Sequence, residues 1–266
     1  MRKVILIFVA ALLLSCLGVF AQNVTDKKGK KQGEWTKKYP NGIVMYEGKF
    51  KDDKPVGLFK HYYETGKLKI EQNHLANDIS EIKLYEVNGK TLAATGKYYG
   101  RIKEGEWKYY SENRLVLTEN YKNGLKEGLA LVYSRTGSIV EKIPYRKDKI
   151  EGMRKYYLED GKLYSEISYV DGKEDGAYRL FEGNDTPVAT GQYVMGKKEG
   201  DWNFYENGKI VETQKYQDGV CVNENELKKK HGKTFDENEK NKGKFNEPTL
   251  NLDEIDNPFR RPEPQY

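Results

Sequence analysis

Ring-bearing side chains recur along this chain with a period close to 24 residues. Phe50, His74, Tyr98, Tyr121, Tyr145, Tyr169, Tyr193 and Tyr216 stand at intervals of 24, 24, 23, 24, 24, 24 and 23. Around these rungs, apolar and polar residues alternate over short runs separated by turn formers, which is the signature of strands joined by tight turns. Three residues past each rung come Asp53, Asn77, Arg101, Gly124, Asp148, Gly172, Gly196 and Gly219. All but Arg101, which has Gly100 beside it, tolerate a left-handed backbone. Seven past each rung come Gly57, Glu81, Gly105, Gly128, Gly152, Gly176, Gly200 and Asn223. This constant offset predicts a loop of fixed geometry, and the slack in the period falls at a second turn. That turn shows at Asn41-Gly42, Thr65-Gly66, Asn88-Gly89, Thr136-Gly137, Asp160-Gly161 and Asn207-Gly208, with Glu112-Asn113 and Gly183-Asn184 in the two remaining repeats. Asn-Gly and Asp-Gly between β-prone runs signal a hairpin. Each repeat therefore reads as strand, tight turn, strand, loop.

A single hairpin is marginal in water, but consecutive hairpins pair edge to edge and accumulate stability between neighbours. The expected fold is all-β: an elongated single-layer antiparallel β-meander of about eight tandem 24-residue β-hairpin repeats. Its roughly sixteen strands would span on the order of 75 Å at ~4.8 Å per strand. A second ring follows two residues after the glycine position at Trp35, Phe59, Trp107, Tyr178 and Trp202, interrupted by Lys83, Ala130 and Arg154. A third comes at Tyr39, Tyr62, Tyr85, Tyr110, Tyr133, Tyr157, Phe181 and Tyr205. Trp202 and Phe204 share one face of their strand, and Ile210, Glu212, Gln214 and Tyr216 share one face of the next. The alternation is imperfect and leaves open which face is buried. Residues 75–96 depart most from the pattern, with Glu81 in the glycine position and Lys83 in the ring position, and predict a bulge, a loop or a hinge there.

Three stretches carry a family resemblance: Gly105-Glu106-Trp107-Lys108-Tyr109-Tyr110, Gly152-Met153-Arg154-Lys155-Tyr156-Tyr157-Leu158-Glu159-Asp160-Gly161-Lys162-Leu163, and Gly200-Asp201-Trp202-Asn203-Phe204-Tyr205-Glu206-Asn207-Gly208-Lys209. They resemble the MORN repeat in its second variant, found in bacterial proteins labelled YwqK-like antitoxin components. The resemblance runs from about Gly33 to Gly219. It implies a toxin-neutralising, antitoxin-like role.

Composition agrees with an extended sheet. With 37% hydrophobic and 33% charged residues and a mean hydropathy of -0.88, one large compact core is poorly supplied, yet Tyr 21, Phe 9, Trp 3 and Gly 26 argue against a solvated coil. The 46 basic and 41 acidic residues are interleaved and leave only +5. So small an excess favours solubility and makes nucleic acid an unsuitable partner.

Residues 1–21 read as a signal peptide: Arg2 and Lys3 precede an apolar run from Val4 to Phe20, and Val19 and Ala21 precede cleavage before Gln22. That run is 17 residues long, short of the ~20 a spanning helix needs. A competing reading takes Leu13-Leu14-Ser15-Cys16 as a lipoprotein box with Cys16 lipidated, although Leu17 to Ala21 stays apolar where such proteins turn polar. Either route leads to the periplasm, the outer envelope or the exterior. After cleavage before Gln22, Cys221 is the one cysteine left in the mature chain, either a small apolar residue closing the last strand or a thiol that crosslinks two chains. Residues 22–222 hold the repeats. Residues 223–232 fit a short capping helix, with Glu224 and Glu226 placed four before Lys228 and Lys230. Residues 233–266 are charged and rich in Asn and Pro, and read as a disordered tail.

The candidate chemistry is sparse. His61, His74 and His231 lack a partner ligand at metal spacing, and there is no nucleophile elbow or phosphate loop. The sequence thus points to a non-enzymatic scaffold without cofactor or metal. Acids recur beside the loop glycine at Glu104, Glu127, Glu151, Asp175 and Glu199, either as solvated charges or as a rim that reads a partner in register. The expected function is binding of a protein partner in the envelope or extracellular space, with Trp35, Phe59, Trp107, Tyr178 and Trp202 as stacking anchors. The alternative is a cell-envelope membrane- or glycan-binding module, since rows of Tyr and Trp suit headgroups and sugars.

Overall fold

The structure, a computed structural model, describes residues 22–183 and 186–231. The signal segment with Cys16, Asn184 of one turn, Gly232 and the 233–266 tail lie outside them. The described chain forms eight hairpins, numbered here in chain order. They are Lys31–Lys38 with Val44–Lys51, Lys54–Tyr62 with Leu68–His74, Ile79–Tyr85 with Leu92–Tyr99, and Ile102–Ser111 with Arg114–Lys122. Then come Gly128–Tyr133 with Ile139–Arg146, Gly152–Tyr157 with Leu163–Val170, Lys173–Phe181 with Pro187–Val194, and Lys197–Glu206 with Lys209–Gln217. Each hairpin pairs antiparallel with the next through its second strand. Four two-residue strands, Val24–Thr25, Leu125–Lys126, Lys149–Ile150 and Val220–Cys221, complete a 20-stranded open sheet. The fold is the expected meander, in which contacts between strands follow chain order.

Both turn types obey the residues written into them. The loops after the rungs hold consecutive left-handed residues, such as Asp52 and Asp53, Asn123 and Gly124, or Asp171 and Gly172, as a type I′ turn requires. At Gly100-Arg101 only the glycine has a positive φ. These turns are also tied to each other. Gly124, Asp148, Gly172, Gly196 and Gly219 donate their N–H groups to the carbonyls of Lys103, Lys126, Ile150, Glu174 and Lys198, at the start of the strand that follows the turn one repeat earlier. At the opposite end of the hairpins, the spacing of 23 or 24 is decided by turn length. Glu112-Asn113 and Asn207-Gly208 are two-residue turns with both φ positive, whereas Tyr39 to Ile43 is one residue longer and ends on left-handed Gly42.

The constant glycine is a bulge. Gly33, Gly57, Gly105, Gly128, Gly152, Gly176 and Gly200 all have φ between +67° and +109°. Next to them the ladder slips, as between Glu47 and Lys49 or Thr95 and Lys97, so that extra residues on one strand face fewer on the other. Hairpin 3 shows the same rule by breaking it. Glu81 replaces the glycine, the pairing from Ile70↔Leu84 to His74↔Ser80 runs without a slip, and the spare residue moves into the longer loop around Asn77 and Asp78. The expected irregularity at 75–96 is therefore a missing bulge. With it the register shifts by one, so that Ile82 is buried and Lys83 faces outward.

Asparagines close parts of both sheet edges. Asn23 donates its N–H to Glu34 and accepts from the Thr36 N–H at 2.8 Å through its side chain. At the far end Asn223, in the glycine position of an unfinished ninth repeat, leads into the helix α1, Glu224–His231. Its amide donates to the Thr213 carbonyl at 2.9 Å and accepts from the Lys215 N–H at 2.8 Å, imitating one more strand. Leu227 of α1 is buried. Asn223→Ala leaves these edge groups unpaired, and is expected to cost about 1–2 kcal/mol, read from the denaturant midpoint.

Candidate interaction surface

The register carries two rows of side chains across the whole sheet, one on each face. One runs Lys37, Tyr46, His61, Ile70, Leu84, Ala94, Tyr109, Leu117, Val132, Glu141, Tyr156, Ser165, Leu180, Ala189, Phe204 and Glu212. The neighbouring row, one residue along each strand and on the opposite face, includes Glu47, Lys60, Glu71, Lys83, Lys108, Lys155, Glu166 and Arg179. The rungs share the first face. That is the buried one, and the second is a polar ladder in which Glu166, for example, lies between Lys155 at 3.3 Å and Arg179 at 2.6 Å.

The ring face is built on gaps. A Cβ added to Gly96 would lie 2.3 Å from the Trp107 ring, one on Gly191 would lie 2.3 Å from Trp202, and one on Gly48 would lie 2.4 Å from Phe59. Each ring lies flat over bare backbone of the preceding strand. The indole N–H groups of Trp107 and Trp202 donate to the carbonyls of Lys97 at 3.1 Å and Gln192 at 3.2 Å. Rungs pack against these rings edge-on, as Tyr98 does on Trp107 and Tyr193 on Trp202, both at 5.1 Å. Trp107, Trp202 and Phe59 are consequently only 1%, 2% and 4% exposed. These three expected anchors are core side chains and present no stacking surface in this state. Trp35 and Tyr178 stay half-buried. Sequence reasoning missed the glycines, although the signal is there: Gly48, Gly96 and Gly191 each precede a large ring by eleven residues.

In two hairpins without such a glycine, buried ion pairs stand on this face. Buried Glu119 pairs with Lys126, and Glu141, 1% exposed, pairs with Arg154. The Arg154 guanidinium lies over Tyr156 at 4.9 Å and Tyr169 at 5.9 Å. Burial would pull the Lys126 and Arg154 pKa values down, but their carboxylate partners outweigh it and hold both up. Lys103 lies over Trp107 at 4.5 Å and Tyr121 at 4.6 Å and donates to the Tyr109 hydroxyl at 2.7 Å. Burial keeps its ammonium below the usual range. At the margin of the polar face, Tyr62 donates to Glu47 at 2.6 Å and Tyr85 to Glu71 at 2.9 Å. Burial and then these carboxylates push both phenols up to about 12.

Four of the five recurring loop acids bind backbone. Glu104, Glu127, Glu151 and Glu199 accept from the N–H of Asn123, Lys147, Asp171 and Asp218, the first turn residue of the next repeat, at 2.8–3.0 Å. Among the described residues no group of three His, Cys, Asp or Glu side chains is placed to hold a metal ion, and no helix is long and apolar enough to cross a membrane.

His74 and His61 surround Phe59 at 5.1 and 6.4 Å between centroids. Burial lowers both pKa values below 6.5, and His74 and Lys69 add to the effect on His61. The unfolded chain therefore takes up protons first, so stability is full above that value and falls as the pH drops below it. His74→Phe keeps a ring on Phe59 and is expected to shrink the loss of Tm between about pH 7.5 and pH 5.5. An undiminished loss would show that His74 contributes nothing.

A 24-residue hairpin with a left-handed bulge glycine, a ring two residues later and a rung on the returning strand is now a defined unit. Residues 31–52, 55–75, 150–171 and 198–218 match the MORN repeat variant. Four of the eight hairpins carry that match. They are hairpins 1, 2, 6 and 8, and the other four share their geometry without matching. Hairpin 3 lacks the bulge glycine, and hairpin 4 turns on Glu112-Asn113 where the matched MORN repeats have a glycine. No curated protein matches the chain. Among solved structures, the crystal structure of GtfA/B complex is similar over 56% of this chain and 20% of that chain, at 13% identity and a TM-score of 0.15. A likeness at that TM-score carries no functional conclusion.

Proposed function

We propose that this MORN-repeat chain is an exported, non-enzymatic scaffold that binds a protein partner along its ring face. The observation supporting it is that, among the described residues, the ring face has no second layer: contacts run between successive strands, and Trp35, Tyr98, Tyr121 and Tyr178 remain half-buried on it. Tyr and Trp on an extended repeat surface suit protein recognition. With Phe59, Trp107 and Trp202 committed to the core, Trp35 and Tyr178 are the anchors within reach of a partner. Toxin neutralisation, which the antitoxin resemblance implies, is one form this binding would take. The test is capture from envelope extract on immobilised protein, with mass-spectrometric identification. The expected result is a protein whose recovery falls with Trp35→Ala and Tyr178→Ala. Recovery of no protein, or binding to protein-free liposomes or glycans in its place, would overturn the reading.

A further inference from the structure

One stretch of the ring face is left open by two local departures from the repeat. In hairpins 1, 4 and 8 the residue two before the bulge glycine is a lysine whose ammonium lies over the ring of its own strand: Lys31 over Trp35 at 4.8 Å, Lys103 over Trp107 at 4.5 Å and Lys198 over Trp202 at 4.3 Å. Hairpin 2 has Pro55 in that position, exposed and paired with Phe50. Hairpin 3, shifted by its missing bulge, brings Ser80 opposite His74 and Ile82 opposite Gln72, so its first strand adds no ring there. The Gln72 amide donates to the Ser80 hydroxyl at 2.8 Å. These smaller side chains leave a groove of about 750 Å³ over hairpins 1–3, with Tyr46, Phe50, Phe59 and His74 in its lining. Phe50 and His74 stand edge-on to Phe59 at 5.2 and 5.1 Å and stay half-buried. Trp35 borders the groove, packed edge-on against Phe50 at 5.9 Å.

The charge of the groove is positive. Lys54 and Arg101 line it against a single acid, Asp78. Both cations are exposed, and neither pairs with a carboxylate among the described residues. An uncharged apolar occupant would leave them unanswered, and a basic one would be repelled. Ring edges beside cations suit an aromatic side chain flanked by carboxylates. We propose that, given a protein partner on the ring face, this groove is its docking site and takes an acidic segment whose aromatic side chain rests on Phe50 and His74 while its carboxylates reach Lys54 and Arg101. An aromatic anchor seated in a pocket with charges at the rim is the arrangement in which a few residues carry most of the binding energy.

Fluorescence anisotropy of labelled peptides added to the full chain at low salt tests this. The peptide Glu-Asp-Trp-Asp-Glu is expected to bind, and Lys-Lys-Trp-Lys-Lys to bind about tenfold more weakly or not at all. Lys54→Glu combined with Arg101→Glu is expected to weaken the acidic peptide about tenfold. Lys49→Glu combined with Lys83→Glu makes the same charge change on the opposite face and is expected to stay within about twofold of wild type. Unchanged circular dichroism shows that the variants are folded. No binding of the acidic peptide, no preference over the basic one, or equal losses in the two double variants would overturn the proposal. A captured envelope protein whose recovery falls with Trp35→Ala but not with Lys54→Glu and Arg101→Glu would overturn the groove as its site and leave the partner on the ring face standing. Capture of no protein beside groove-dependent binding of the acidic peptide would do the reverse, supporting the groove's selectivity while the envelope partner falls.

Discussion

Trp107→Ala is expected to lower the unfolding free energy by about 3–5 kcal/mol, the range for deleting a buried tryptophan. The loss has several parts. The ring closes the contact with Gly96, holds Tyr98 and Tyr121 edge-on at 5.1 and 6.3 Å, hydrogen-bonds the Lys97 carbonyl and lies under the Lys103 ammonium. It also lies in a core cluster with Ile82, Ala94 and Tyr109, where hairpins 3 and 4 meet. Each repeat leans on its neighbours, so the damage should spread to both sides as faster amide exchange in the strands around Gly96. Gly96→Ala attacks the same contact from below. Its methyl would collide with the indole, and overpacking of this kind costs about 1–3 kcal/mol. In a Trp107→Ala background the added methyl should be tolerated, giving strongly non-additive denaturant midpoints. Additive losses would mean that ring and glycine act separately.

The second large effect concerns Glu141 and Arg154, whose side chains are 2% and 13% exposed. Glu141→Ala leaves the guanidinium buried without its carboxylate and is expected to cost about 3–5 kcal/mol. Glu141→Leu together with Arg154→Met replaces both charges by apolar groups of similar size and is expected to come close to wild-type stability. Equal losses in the single and double variants, measured by chemical denaturation, would show that packing and not the unpaired charge sets the cost.

Much of this architecture was legible from residue order, because its signals are local. A left-handed turn selects Asp, Asn or Gly by steric clash alone, so the positions after Phe50, Tyr121 and Tyr169 declare their conformation whatever surrounds them. The same holds for the bulge glycines, and for Glu81, whose Cβ disfavours a left-handed bulge and whose repeat dispenses with one. The candidate anchors were harder to judge. Phe59 and Trp202 look alike as members of a ring series whether they meet a partner or their own backbone, and the deciding residues, Gly48 and Gly191, lie one strand away. Glu141 and Arg154 gave no sign of burial, since in sequence a charge reads as solvated until its counter-charge is found across a strand. The loop acids beside the glycines are similar: their targets are backbone N–H groups in the next repeat.

Residue order by itself therefore determined the repeat, its period, its turns and the meander, since short-range sterics and hydrogen bonding specify them within a few residues. Only the tertiary structure decided which face is core and which rings it consumes. A bulge reverses the alternation of a strand partway along its length, and burial depends on what the neighbouring strand offers beneath each side chain, a gap at Gly96 or a carboxylate at Glu119.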